Sequence, residues 1–189
     1  MGNKIFYKVM RALAKTVTIL FLRPKFYGLE NIPNEGKIIL AGNHRSYFDP
    51  LLVMSSTKRH IHFLAKKELW KFPKNIIFAN LGLIPVDRSK KDKSVLIAAK
   101  DYIKDGEVVG VFPEGTRGKE KFLPFKIGTV KLAHDTNTKI VPFAITGKYK
   151  IFSRDLKITF GKPLNIKNKS LEEENERFRN IVKEMIKEK

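Results

Sequence analysis

Between residues 4 and 22 the cations Lys4, Lys8, Arg11 and Lys15 recur at spacings of four, three and four, while Ile5, Val9, Leu13 and Val17 follow on the adjacent row. That periodicity predicts an amphipathic helix. Turn-forming residues from Gly28 to Gly36 separate it from the apolar run at 37–42, which reads as a buried strand ending in a functional loop. Asp49-Pro50 predicts a helix over 49–55, with an acid at a favoured cap position and proline at the favoured first helical one. The pattern continues with a strand over 61–65, a helical stretch over 66–80 interrupted at Pro73, and a helix over 90–104 stopped by Gly106. A strand over 108–112, a helix over 127–136 and strands over 140–146 and 156–160 follow. Residues 171–187 form a closing helix with Phe178, Ile181, Val182 and Ile186 inward. This alternation predicts an α/β fold: a mixed, largely parallel sheet flanked by helices, with an amino-terminal amphipathic helix. Residues 1–35 read as an interfacial helix and connector, and 36–189 as the domain that carries the chemistry.

A chain of 189 residues suffices for one domain, which buries roughly 70% of the surface its unfolded form exposes. With 42% hydrophobic against 30% charged residues, the composition is that of an ordered globular protein. The absence of cysteine excludes disulfides, thiolate nucleophiles and zinc sites that need sulfur. The 38 Lys and Arg against 19 Asp and Glu give a net charge of +19, which attracts nucleic acid, anionic lipid headgroups and phosphorylated metabolites alike.

The amino-terminal helix narrows that choice. Its longest uncharged run, residues 16–22, has seven residues, whereas crossing a bilayer takes about 20. No secretory signal is legible, and Phe6 stands where a myristoylation pattern needs Ser or Thr. The first 35 residues hold six basic and two acidic side chains. With Phe6, Met10, Leu20, Phe21 and Leu22 available for burial, the helix is expected to lie in the plane of an anionic membrane surface. An ordinary surface helix packed on the core is the alternative.

Three polar constellations follow strands. In the first, His44 precedes Asp49 by five residues across a loop, so one ring N–H can meet the carboxylate while the other nitrogen faces a substrate as a general base. Asp49 as a mere helix cap fits the spacing as well. Ser46 lacks the G-x-S-x-G elbow that presents a serine nucleophile. In the second, the stretch 82–88 ends in Asp87-Arg88, where arginine suits a phosphate or forms a plain exposed ion pair. In the third, Phe112-Pro113 leads into Glu114-Gly115-Thr116-Arg117. Gly115 allows a tight turn, Thr116 a hydroxyl and Arg117 a cation, while Glu114 bonds a substrate hydroxyl or pins the loop. His60 and His62 share one strand face, and without a visible third ligand they read as packing residues rather than metal ligands. No P-loop or dinucleotide fingerprint is present, so no nucleotide cofactor is implied.

Taken in order, Asn43-His44 with Asp49, Ile84-Pro85-Val86-Asp87-Arg88, Phe112-Pro113-Glu114-Gly115-Thr116-Arg117 and Val141-Pro142-Phe143 resemble the four blocks of the lysophosphatidic acid acyltransferase family, over residues 37–146. The resemblance implies transfer of a fatty acyl chain from acyl-CoA or acyl carrier protein to the free hydroxyl of lysophosphatidic acid. Phosphatidic acid for phospholipid synthesis is the product, and no cofactor beyond the donor is needed. It implies His44 as general base and Asp49 as its orienting partner. Arg88, Arg117 and Lys66, the last in the family-like stretch 65–69, are expected on the acceptor phosphate, with Glu114, Gly115 and Thr116 positioning the substrate. The expected location is the cytoplasmic face of a membrane, peripheral or monotopic. Glycerol phosphate or another lysophospholipid is the alternative acceptor. A non-enzymatic basic module for membranes or nucleic acid explains the charge but not three polar motifs at strand ends, and no nucleic-acid reader motif is present.

Overall fold

The computed structural model describes residues 2–87, 93–118, 121–166 and 170–187, with residues 93–96 described in their backbone alone. Strands β1 (Lys25–Tyr27), β2 (Ile38–Gly42), β3 (Ile61–Lys66), β4 (Ile84–Val86), β5 (Val108–Val111), β6 (Lys139–Thr146) and β7 (Lys157–Phe160) form one sheet in the order β1-β7-β6-β2-β5-β3-β4. Every neighbouring pair is parallel except β6 and β7. The expected mixed, largely parallel sheet is therefore present.

Parallel strands covered on both faces must be apolar throughout. β2, Ile-Ile-Leu-Ala-Gly, and β5, Val-Val-Gly-Val, are accordingly buried along their whole length. Alternate side chains feed two cores. Leu40, Phe63, Phe143 and Phe160 pack on one face, beside helices α1 (Lys4–Val17) and α2 (Asp49–Ser56). Ile39, Val109 and Ile140 pack on the other with Ile103, Leu132 and Phe178, which lie on α4 (Lys93–Lys104), α5 (Gly128–Thr136) and α6 (Leu171–Lys187). Gly42 closes β2 because a Cβ there would sit 2.0 Å from the Phe143 carbonyl oxygen.

From β2 the chain moves through α2 to β3, returns through α4 to β5 between them, and crosses through α5 to β6 on the far side of β2. The carboxyl end of β2 is thus the point where the connections change direction, and ligands gather in the crevice at such a point.

The amino-terminal helix corrects one expectation. Tyr7 and Ala14 are buried and Phe6, Met10 and Leu22 pack against the core, so those last three face inward instead of toward a membrane. The exposed apolar row is Ile5, Val9, Leu13 and Val17, extended by Leu20 and Phe21. The α-helix also ends at Val17 instead of residue 22, and Thr18–Leu22 is a wider π turn. There the buried Thr18 hydroxyl donates to the Ala14 carbonyl at 2.8 Å and meets the Ser55 hydroxyl at 3.1 Å.

Residues 25–27, read as connector, form edge strand β1 against β7. Of the stretch 66–80, only α3 (Lys74–Asn80) is α-helical, preceded by a short 3-10 turn at Lys67–Leu69. Residues 90–92 of the expected fourth helix lie outside the described residues.

Packing of α1 rests on an aromatic column. Tyr7 stacks on His60 at 3.8 Å, His60 on His62 at 4.2 Å and His62 on Tyr102 at 3.9 Å between ring centroids. His60 Nε2 donates to the Leu81 carbonyl at 2.9 Å and His62 Nδ1 to the Gly82 carbonyl at 2.8 Å. The Tyr7 hydroxyl accepts the Ile61 N–H at 3.0 Å. Burial pushes the His60 ring below its ordinary range and His62 down to about 4. In the unfolded chain a histidine takes its proton near 6.5, so between about 6.5 and 4 the unfolded state binds more protons than the folded one. Stability is therefore full above that window, falls as the pH drops through it by about 3 kcal/mol for His62, and levels off below it. Urea unfolding at a series of pH values checks this; a midpoint constant across the window would contradict it.

Candidate active site

Beyond Gly42 the chain enters a loop whose first residue mimics a strand. Asn43 is buried, its Nδ2 donates to the Ile145 carbonyl at 2.9 Å, and its Oδ1 accepts the Ile145 N–H at 2.7 Å. This fixes the loop to β6 and sets His44 above the switch point. His44 Nδ1 lies 2.7 Å from Asp49 Oδ2. The same oxygen accepts the Arg45 N–H at 2.6 Å and the Ser46 N–H at 2.8 Å, and Oδ1 accepts the Tyr149 hydroxyl.

Asp49 has no solvent exposure, and four donors converge on it, as an acceptor-only carboxylate requires. Phe48 holds the cap position of α2, with no side-chain cap. Asp49 thus spends its oxygens on the loop and on His44 instead of capping the helix, which corrects the capping alternative. With Nδ1 donating to the carboxylate, Nε2 keeps its lone pair. The ring stacks on Phe112 at 4.2 Å between centroids, which fixes its plane.

The loop after β5 supports His44 from the other side. Glu114 is buried; Oε1 accepts the His44 N–H at 2.8 Å and Oε2 the Leu123 N–H at 3.1 Å. Burial pushes its carboxyl above the ordinary range. Of the two roles open from sequence, pinning the loop is the one its contacts serve. The Gly118 N–H donates to the His44 carbonyl at 2.8 Å, so both backbone groups of His44 are held. Gly115 sits at φ +69, a conformation that L side chains rarely adopt.

Thr116 is exposed. Arg117 sits over the Tyr47 ring, its Cζ 3.4 Å from the centroid, and donates to the Tyr47 hydroxyl at 2.6 Å. Lys66 is exposed at the end of β3, and Arg88, expected beside it, lies outside the described residues. The structure thus joins His44, Asp49 and Glu114 directly, with Arg117 reaching the same loop through Tyr47.

Sequence reasoning missed two tyrosines. Tyr47 lies inside the first motif and could have been found there as the aromatic neighbour of a cation. Tyr149 stands one hundred positions from Asp49, and no spacing rule connects them. Its hydroxyl is pushed upward by burial and by the Asp49 charge, so it remains a donor.

A model of the acyltransferase family matches residues 23–146, a span that holds all of these loops up to the end of β6. Over 165 residues the chain is 30% identical to the 1-acyl-sn-glycerol-3-phosphate acyltransferase of Bacillus subtilis, covering 84% of this chain and 82% of the relative. The enzyme of the same description from Borreliella burgdorferi is 28% identical over 195 residues, covering 97% of this chain and 78% of its own. The crystal structure of the 1-acyl-sn-glycerophosphate (LPA) acyltransferase from Thermotoga maritima superposes with a TM-score of 0.79 at 27% identity, covering 96% of this chain and 78% of that one.

Proposed function

The chain belongs to the acyltransferase family, and from that premise we propose that it transfers a fatty acyl chain from a thioester donor to the free hydroxyl of lysophosphatidic acid. The product is phosphatidic acid, for phospholipid synthesis. The relatives above, which carry this activity in their names, support the acceptor. The donor is acyl-CoA or acyl carrier protein. The observation that carries the mechanism is the His44 imidazole, oriented by buried Asp49 and open at Nε2.

His44 Nε2 takes the proton of the acceptor hydroxyl as that oxygen attacks the thioester carbonyl carbon. That attack forms the C–O bond and gives a tetrahedral adduct, whose collapse restores the carbonyl and breaks the C–S bond. The departing sulfur takes the proton back from the imidazolium, which Asp49 stabilises meanwhile. No side chain of the protein becomes acylated.

Arg117, with Lys66 and Arg88, binds the acceptor phosphate. Tyr47 anchors the guanidinium through its ring and its hydroxyl, leaving donors for a paired contact with phosphate oxygens. Arg117→Ala should raise the acceptor KM by about 10- to 100-fold, the loss expected for a charge-assisted contact, with kcat little changed. Steady-state kinetics on lysophosphatidic acid check this, and an unchanged KM would remove Arg117 from the phosphate site. The activity itself is tested by acceptor-dependent formation of phosphatidic acid. Acylation of glycerol phosphate or another lysophospholipid in its place would move the reading to those acceptors.

The lipid acceptor has to be met at a surface. Among the described residues no helix is long and apolar enough to cross a membrane. The outer row of α1 is nonetheless strongly exposed, Ile5 at 75% and Val9 at 62%, and it continues through Phe21 to Phe152, whose rings lie 6.1 Å apart. This row lies in the membrane interface with Lys8 and Lys15 toward anionic headgroups, while Lys4 pairs with Glu107 at 3.2 Å. Val9→Glu with Leu13→Glu should weaken partitioning onto anionic liposomes, read by sedimentation, by about a hundredfold or more, since burying such side chains is worth about 2 kcal/mol each. The substitutions leave Tyr7 and Ala14 in the core, and undiminished binding would contradict the role.

A further inference from the structure

Outward from β2 the sheet runs through β5, β3 and β4 on one side and through β6 and β7 on the other. The cations assigned to the acceptor phosphate, Lys66 after β3 and Arg117 after β5, belong to the first side. Toward the second side a cavity of about 430 Å³ opens, walled by Arg45 after β2, Lys121 and Phe122 late in the loop after β5, Lys148 and Lys157 at the two ends of the β6–β7 turn, and Ile186 of α6. A volume of that order is typical of sites for small organic ligands.

The cavity adjoins the dyad. Its wall includes Asn43 and Glu114, the side chains that fix the loop on either flank of His44. It also carries a surplus of positive charge. Glu114 has both oxygens on backbone amides and a carboxyl raised by burial, and Asp155 accepts the Lys148 backbone N–H at 2.9 Å. Among the described residues none of the three lysine ammoniums is paired with a carboxylate. An anionic ligand would therefore meet them without first breaking an ion pair.

Direct transfer brings two substrates to one imidazole, with the acceptor phosphate assigned above to Lys66 and Arg117. The two candidate donors share one anionic element, the phosphate at the end of the pantetheine arm, to which coenzyme A adds a nucleotide with further phosphates. Building on the acyl-transfer reading above, we propose that the cavity between the β6–β7 turn and α6 seats the phosphorylated head of the pantetheine thioester donor. The donor then approaches His44 past Asn43, Glu114 and the β6–β7 turn, and the acceptor past Lys66 and Arg117.

The test is Lys121→Gln/Lys148→Gln/Lys157→Gln in the full chain, assayed with acyl-CoA, with acyl carrier protein thioester and with the acyl thioester of pantetheine lacking phosphate. The KM for whichever phosphorylated donor the wild type uses should rise about tenfold or more, as expected for losing several charge-assisted contacts. The phosphate-free donor and the acceptor KM should shift less than about twofold, which also reports that the variant folds. A rise with acyl-CoA alone assigns the cavity to the nucleotide, and a rise with both donors to the shared phosphate. Lys58→Gln/Lys104→Gln/Lys139→Gln removes the same charge before β3, at the end of α4 and at the start of β6, and should leave the donor KM unchanged. An unaltered KM for the phosphorylated donor, an equal rise with the phosphate-free one, or an equal rise in the second triple variant would overturn the proposal. A wild type that transfers no acyl group to lysophosphatidic acid from any donor would instead refute the underlying activity.

Discussion

His44→Ala should lower kcat by about 10² to 10⁴, the range that a positioned general base contributes. The substitution removes the Nε2 lone pair and nothing that touches the acceptor phosphate, so the acceptor should still bind. The loop should also survive. Its supports run through the His44 N–H to Glu114 and the His44 carbonyl to the Gly118 N–H, and alanine keeps both. What is lost beyond the base is the stacking on Phe112 and the Nδ1–H bond to Asp49 Oδ2, an oxygen that keeps the Arg45 and Ser46 amides, so the cost to the loop is modest. Calorimetric titration with lysophosphatidic acid beside the kinetic assay separates the two effects. A variant with full turnover would refute the mechanism, and one with no acceptor binding would make His44 a structural residue.

Asp49→Asn should lower kcat by about 10³ to 10⁴, the scale on which a neutral amide fails to hold and stabilise a catalytic imidazolium. The local fold allows the change. With the amide oxygen at the Oδ2 position it still accepts from Arg45 N–H, Ser46 N–H and His44 Nδ1, and its NH₂ faces the Tyr149 hydroxyl, which can turn to accept. Four charge-assisted contacts become neutral ones, a stability cost of about 1–3 kcal/mol. Urea unfolding and kcat, measured on the same preparation, should therefore diverge: modest loss in the first, severe loss in the second. A kcat within tenfold of wild type would leave Asp49 an organiser of the loop only.

The long buried strands could be read from the chain because full burial on both faces leaves an unmistakable apolar run, as in residues 38–42 and 108–111. Short edge strands leave none: Lys25-Phe26-Tyr27 buries only its middle side chain partly, and β4 is three residues long. The amino-terminal helix carried two apolar rows, and the choice between them was made by packing. Tyr7 finds the Ile61 N–H and the His60 ring, partners brought near by the sheet and invisible in local periodicity.

The site shows the same division. His44 and Asp49 were visible as a pair, yet their spacing alone did not separate orientation from capping; the geometry does, with three donors on Asp49 Oδ2 and Tyr149 on Oδ1. Two of those donors are backbone amides, which any sequence possesses, and Tyr149 comes from a loop after β6. Arg117 was legible as a cation; its seat on Tyr47 was not, because that contact joins loops seventy positions apart.

Single-turnover reaction of the wild-type protein with a labelled acyl thioester, with and without lysophosphatidic acid, tests the central claim most directly. Direct transfer with His44 as base predicts label in phosphatidic acid when the acceptor is present. Without acceptor it predicts intact thioester and no labelled protein. Label held covalently on the protein, or thioester hydrolysed equally fast without acceptor, would contradict it.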